Sequence, residues 1–239
     1  MSDLVYPPVI KVAKLFWRYL GLKFTVTGQE NIPHHGSAGG AIIAINHVGY
    51  LDFALSGTAF LPAKRYIRFM AKKEIFDNKL AGPLMRGMHH INVDRSSGTA
   101  SFVAALRALR SGELVGIFPE ATISRSFEIK ELKTGVVRLA MGANVPIVPT
   151  IIWGSQRIWT KGEKGSRKNL KRAHVPIYIS IGEPMYFSKD QDVPAAEAAL
   201  RAKMKEMLDE VQAAYPDNPA GQWWAPLRLG GTAPAPLNS

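Results

Sequence analysis

The chain has 239 residues, 46% of them hydrophobic and 21% charged, with a formal net charge of +11 and a mean hydropathy of −0.03. That length suits one large α/β domain or two small ones, and the sequence holds no run of about 18 uninterrupted apolar residues for a bilayer crossing. Zero cysteines exclude disulfides, thiolate nucleophiles and Cys-based metal sites, while the positive charge asks for an acidic partner: nucleic acid, a phosphorylated substrate or an anionic membrane face.

Asp3, Pro7 and Pro8 stand where a signal peptide needs a basic start and an apolar core, so no leader is expected. Residues 9–20 (VIKVAKLFWRYL) predict a helix with Lys11, Lys14 and Arg18 on one face and apolar or aromatic residues around the rest. Residues 1–23 therefore form an amphipathic N-terminal helix, suited to a membrane interface or to packing on the domain with its basic stripe in water. Strands follow at 24–28 and 40–46, separated by a polar loop containing His34 and His35. Further strands are expected at 66–71, 90–93, 114–118, 145–153 and 175–181. Helices are expected after Asp52, at 79–88, 97–110 and 133–142, and at 194–214, where Leu200, Met204, Met207, Leu208 and Val211 share a face. From Pro216 the composition turns to Pro, Gly, Ala and Asn, which predicts an extended or disordered tail over 216–239, with Trp223-Trp224 folding back on the domain. Alternating strands and helices over 24–215 argue a single three-layer α/β/α domain with a mixed, mostly parallel sheet.

The run Ala41–Ile45 ends in Asn46-His47-Val-Gly-Tyr-Leu-Asp52. Five residues along one helix would set two side chains about 140° apart. His47 and Asp52 meet only if the histidine lies in the turn and the aspartate opens the next helix. There a carboxylate can hold one imidazole nitrogen and leave the other as a general base. Charged residues also follow three other strands, at Asp94-Arg95, at Glu120 to Arg125, and around the Val145-Pro146-Ile-Val-Pro149 run. Strand ends form the usual ligand crevice of open α/β sheets, and arginine's planar fork suits phosphate.

These stretches resemble the lysophosphatidic acid acyltransferase family, over roughly residues 24–182. The NHxxxxD block is Asn46 to Asp52, the KKEIF block is Lys72 to Phe76, and the Val-Asp-Arg block is Val93-Asp94-Arg95. The family's Phe-Pro-Glu-Gly-Thr-Arg-Ser block runs here as Phe118-Pro119-Glu120-Ala121-Thr122-Ile123-Ser124-Arg125-Ser126, with alanine for glycine and the arginine two residues late. The proline-punctuated fourth block is Val145 to Pro149.

The resemblance implies a glycerol-3-phosphate acyltransferase-like domain that uses His47 as general base and Asp52 as its orienting acid. The acceptor hydroxyl would attack the thioester of acyl-CoA or acyl carrier protein directly, with no enzyme-bound intermediate. It implies substrate contacts at Lys73, Arg95, Glu120, Thr122 and Arg125, with phosphate on Lys73, Arg95 and Arg125. Glu120 would meet an acceptor hydroxyl or orient a basic neighbour. Val145, Pro146 and Pro149 would wall the acyl-donor side, and amides near them would serve the oxyanion. The implied acceptor is lysophosphatidic acid, with glycerol 3-phosphate or another lysolipid as the alternative, at the cytoplasmic face of the cell membrane.

No HExxH, Walker loop or GxGxxG occurs, so no metal or cofactor is expected. His89 and His90, neighbours in a strand, face opposite ways and share no metal. Between Arg157 and Arg172 seven basic residues accompany one acid, a segment suited to anionic headgroups or to the phosphates of CoA. Only Trp159 supplies an aromatic there, against a nucleic-acid platform. A basic membrane-binding protein without catalysis is the competing class.

Overall fold

The computed structural model describes residues 3–33, 39–94, 98–162 and 173–236. Seven strands form one sheet: β1 (Lys23–Thr27), β2 (Ala41–Ile45), β3 (Ile67–Lys72), β4 (Ile91–Val93), β5 (Leu114–Ile117), β6 (Ile147–Trp153) and β7 (Pro176–Ile181). Their spatial order is β1-β7-β6-β2-β5-β3-β4. The five strands from β6 to β4 run parallel, and β7 joins β6 antiparallel with β1 parallel to β7. Every residue of β2 and β6 is buried. That is the signature of central strands covered on both faces, and it explains why both read as continuous apolar runs.

The helices are α1 (Tyr6–Leu20), α2 (Asp52–Thr58), α3 (Lys73–Asp77), α4 (Ala81–Gly87), α5 (Gly98–Arg110), α6 (Gly135–Ala143) and α7 (Val193–Ala213). One sheet face packs on α1 and α2 through Trp17, Leu20, Leu55 and Phe60. The other packs on α5, α6 and α7 through Leu109, Val137, Leu200 and Met204. This is the three-layer α/β/α arrangement with a mixed, mostly parallel sheet. Helix α1 starts three residues earlier than its apolar pattern suggests, because prolines are tolerated in a first turn, and it ends where Gly21 turns left-handed at φ 69°. Helix α7 is capped by the Asp192 carboxylate, which accepts the amide of Ala195 at 2.9 Å.

The C-terminal segment departs from the extended or disordered tail that its composition suggests. Residues 216–236 fold back on the α7 side of the sheet. The Trp224 side chain is 4% exposed, Ala225 and Ala233 join the same core, and the amide of Thr232 reaches the Gln222 carbonyl at 2.8 Å. Two aromatic anchors outweigh a Pro- and Gly-rich composition, because each buries a large apolar area.

Candidate active site

The five parallel strands bring their carboxyl ends to one edge of the sheet, and the polar residues gather there. β2 ends in Asn46, whose side chain continues the ladder onto β6: Oδ1 accepts the Ile152 amide at 2.7 Å, and Nδ2 donates to the Ile152 carbonyl at 3.1 Å. The chain then turns through His47 to Gly49, and Asp52 opens α2. His47 Nδ1 lies 2.9 Å from Asp52 Oδ2, and the same oxygen accepts the amides of Val48 at 2.7 Å and Gly49 at 2.8 Å. Asp52 is fully buried, whereas the His47 side chain is 21% exposed. An imidazole that donates Nδ1–H to a carboxylate presents Nε2 as an acceptor. His47 Nε2 has no protein partner among the described residues.

Two loops hold this turn. From β5, the Phe118 ring stacks on the His47 imidazole at 4.3 Å. Buried Glu120 accepts the His47 amide on Oε1 at 2.9 Å and the Lys130 amide on Oε2 at 3.1 Å, and the Ser124 amide donates to the His47 carbonyl at 2.7 Å. Burial pushes the Glu120 carboxyl up to about 7, against the pull of those two amides. From β6, Ser155 Oγ donates to Asp52 Oδ1 at 2.5 Å. Thr160 Oγ1 donates to the Val48 carbonyl at 2.5 Å, and the Tyr50 amide donates to the Trp159 carbonyl at 3.0 Å.

The remaining expected residues divide. Lys73, the first residue of α3, is exposed and pairs with Asp94 at 3.5 Å. Thr122 is exposed, and its hydroxyl accepts from Lys130 Nζ at 2.5 Å. Arg125 is exposed, and its Nε lies 3.9 Å from where a Cβ on Gly162 would stand. Ile123, which takes the place of the family's arginine, is buried. Arg95, His34, His35 and residues 163–172 lie outside the described residues.

Two expected residues take other places. Glu120 is 4% exposed, with its oxygens on the backbone amides of His47 and Lys130, so it holds the His47 turn. Val145, Pro146 and Pro149 lie away from that turn. Val145 and Pro146 precede β6, and Pro149 pairs with Ala44 in mid-sheet. In a parallel array the start of a strand lies at the opposite edge from its neighbours' carboxyl ends, so this block supports the core and the His47 turn lies beyond its other end. Two contributors escaped the sequence reading. Ser155 follows a strand end just as the flagged residues do, but its partner lies 103 residues away. Lys130 sits in a loop with no periodicity. His90 is a structural group: it is buried, accepts the Phe69 amide on Nδ1 at 3.0 Å, and is pushed down to about 4 by desolvation. Among the described residues no three His, Asp or Glu side chains gather in a way that would hold a metal.

The sequence model of the family described as Acyltransferase matches residues 23–153, more than half of the chain. The chain belongs to this acyltransferase family. A relative from Bacillus subtilis (strain 168), a 1-acyl-sn-glycerol-3-phosphate acyltransferase, is 32% identical over 190 residues, covering 78% of this chain and 87% of that protein. A protein of the same name from Limnanthes douglasii is 40% identical over 158 residues, covering 62% of this chain and 51% of that protein, so the acyltransferase described here spans about half that relative's length. The crystal structure of the 1-acyl-sn-glycerophosphate (LPA) acyltransferase PlsC from Thermotoga maritima shares the fold. It gives a TM-score of 0.67 at 20% identity, over 88% of this chain and 80% of that one. The acyltransferase is thus an enzyme of the 1-acylglycerol-3-phosphate O-acyltransferase kind.

Proposed function

We propose that this acyltransferase moves a fatty acyl chain from acyl-CoA or acyl carrier protein to the free hydroxyl of lysophosphatidic acid, giving phosphatidic acid for phospholipid synthesis. The observation that carries the reading is the His47–Asp52 pair, with Nδ1 held at 2.9 Å and Nε2 left unpartnered among the described residues. Nε2 takes the proton of the acceptor hydroxyl as its oxygen attacks the thioester carbonyl carbon. The tetrahedral intermediate collapses by breaking the C–S bond, and the imidazolium returns the proton to the departing thiolate. Asp52 keeps the tautomer and stabilises the imidazolium, as the carboxylate does in a Ser-His-Asp triad. The substrate supplies the nucleophile, so no covalent enzyme intermediate forms.

The surroundings suit such substrates. An apolar groove between α1, α2 and β3, lined by Tyr6, Ile10, Ala13, Phe53, Phe69 and Met88, encloses about 570 Å³ counting its open mouth. Its Phe69 wall stacks on Phe118 at 6.1 Å, and Phe118 stacks on His47. The groove is our candidate for the acyl chain. With Ile123 turned inward, phosphate recognition falls to Arg125 and Lys130, with Lys161 beside them and Lys73 further along the edge. Lys130 feels the charges of Lys161 and Lys133, and its pKa is lowered chiefly by burial.

Helix α1 exposes Val12, Leu15 and Tyr19 alongside Lys11, Lys14 and Arg18. The α3–α4 region also exposes Ile75, Leu80 and Leu84. Apolar side chains among cations suit an anionic bilayer surface, and we assign this face to peripheral attachment at the cytoplasmic side of the cell membrane. No helix among the described residues is long and apolar enough to cross a membrane.

An acceptor panel tests the proposal: palmitoyl-CoA with lysophosphatidic acid and, in parallel, with glycerol 3-phosphate. Phosphatidic acid from the first mixture is the expected product. Product from glycerol 3-phosphate alone would move the enzyme one acylation earlier. None from either acceptor, with acyl-CoA or palmitoyl carrier protein as donor, would contradict the reading.

A further inference from the structure

We infer that Ser155 is a positioning residue for acyl transfer, and that the C-terminal segment from Tyr215 to Trp224 is a strap that holds it against Asp52. The inference rests on the catalytic reading of His47 and Asp52. It adds a part of the chain beyond the match to the family, which ends at residue 153.

The asymmetry of the Asp52 carboxylate motivates it. Three donors, all from its own turn, converge on Oδ2: His47 Nδ1 and the amides of Val48 and Gly49. Oδ1 receives Ser155 Oγ at 2.5 Å, and both residues are fully buried. The terminal torsion of an aspartate is broad and nearly two-fold. Three donors on one oxygen set its position without stopping the group from pivoting about it. A donor on the opposite oxygen stops that pivot, and with it any tilt of the imidazole whose Nδ1–H the carboxylate receives.

Ser155 can do this only if its own backbone is fixed. Gly154 has φ 98°, and a Cβ there would stand 2.1 Å from the Pro176 carbonyl oxygen, so the close approach to β7 requires glycine. Ser155–Arg157 then form a single 3-10 turn, and the C-terminal segment grips the two residues that follow Ser155. Gln156 Nε2 donates to the Trp224 carbonyl at 3.3 Å, while Gln156 Oε1 accepts the Gly154 amide at 2.9 Å. Arg157 donates to the Tyr215 hydroxyl at 2.8 Å and to Asp217 at 2.5 Å. Its guanidinium lies 4.6 Å from the centre of the Trp224 ring. Tyr215 donates onward to the Pro176 carbonyl at 2.9 Å, which ties the strap to the strand that Gly154 touches. A route of direct contacts therefore runs from the C-terminal segment to the catalytic pair.

The test compares Ser155→Ala, Ser155→Thr, Arg157→Gln and the Ser155→Ala/Arg157→Gln double variant in the full chain. Loss of one hydrogen bond to a charged group predicts a fall in kcat of about ten- to a hundredfold for Ser155→Ala, with KM for both substrates within about twofold. Ser155→Thr, which keeps the hydroxyl, restores most of the rate. Arg157→Gln lowers kcat in the same sense by less. The double variant falls no further than Ser155→Ala, because the strap acts through the serine. In ¹⁵N-histidine spectra, assigned with His47→Gln, His47 passes from one tautomer in the wild type to a mixture in Ser155→Ala. That readout needs no substrate, so it judges the positioning role even if the proposed acceptor proves wrong. Wild-type kcat and an unchanged tautomer in Ser155→Ala would overturn the inference. Full additivity in the double variant would overturn the strap. Should Arg157→Gln fail to fold, Asp217→Asn loosens the same clamp by one bond and takes its place in the cycle.

Discussion

Asn46 and Ile152 pair side chain to backbone in both directions, accepting at 2.7 Å and donating at 3.1 Å, at the point where β2 leaves the sheet. The first residue of the NHxxxxD block thus extends the ladder by one rung and launches the His47 turn from a fixed point. Asn46→Ala leaves a buried amide and a buried carbonyl of Ile152 without partners. It should cost roughly 2–4 kcal/mol of stability, read by denaturant unfolding, and lower kcat along with it. A loss within about 0.5 kcal/mol, the range of neutral surface changes, would show that the two strands hold the turn without it.

Ala121 occupies the position where the family pattern has glycine, and its φ is 61°. A left-handed backbone costs a non-glycine residue about 1–2 kcal/mol, whereas glycine frees the unfolded chain by about 0.4–1 kcal/mol. Ala121→Gly is therefore expected to stabilise the protein, by about 0.5–1 kcal/mol, with activity retained. A lower melting temperature in a thermal scan would contradict this.

Glu120 makes stability depend on pH in a direction unusual for a carboxylate. Its folded pKa, about 7, lies above the ordinary 4.5. The native state therefore keeps a proton that the unfolded chain has lost between those values, and stability falls as pH rises through that window, then levels above it. His90, pushed down to about 4 from 6.5, works oppositely: it adds stability as pH rises from about 4 to 6.5. Comparison with Glu120→Gln isolates the first effect, because both proteins share His90. Between pH 5 and 7 the wild type should lose about 1–3 kcal/mol relative to the variant in denaturant melts. Parallel curves would show that the buried carboxylate stays ionised throughout.

Much of this was legible in the chain. β2 and β6 announced themselves as β-branched runs because both their faces are covered. The five-residue spacing of His47 and Asp52 could close only across a turn, and the structure has that turn. The α7 stripe from Leu200 to Val211 is buried as its periodicity required. What stayed hidden depended on contacts distant in sequence. Ser155 reaches Asp52 across 103 residues, and nothing local distinguishes it from any serine after a strand. The Val145–Pro149 block carries no local sign of its edge, and a motif at the start of a parallel strand lies at the far edge from motifs at strand ends. The C-terminal segment misled through composition: its prolines and glycines shape turns that carry Trp224 into the core.

The most direct measurement is the rate of thiol release from palmitoyl-CoA in the presence of lysophosphatidic acid vesicles, for the wild type and His47→Ala. Removal of a general base should cost at least about a hundredfold in rate, while co-sedimentation of both proteins with anionic liposomes stays equal. Acceptor-dependent release that persists at the wild-type rate in His47→Ala would contradict the assignment of His47 as the base.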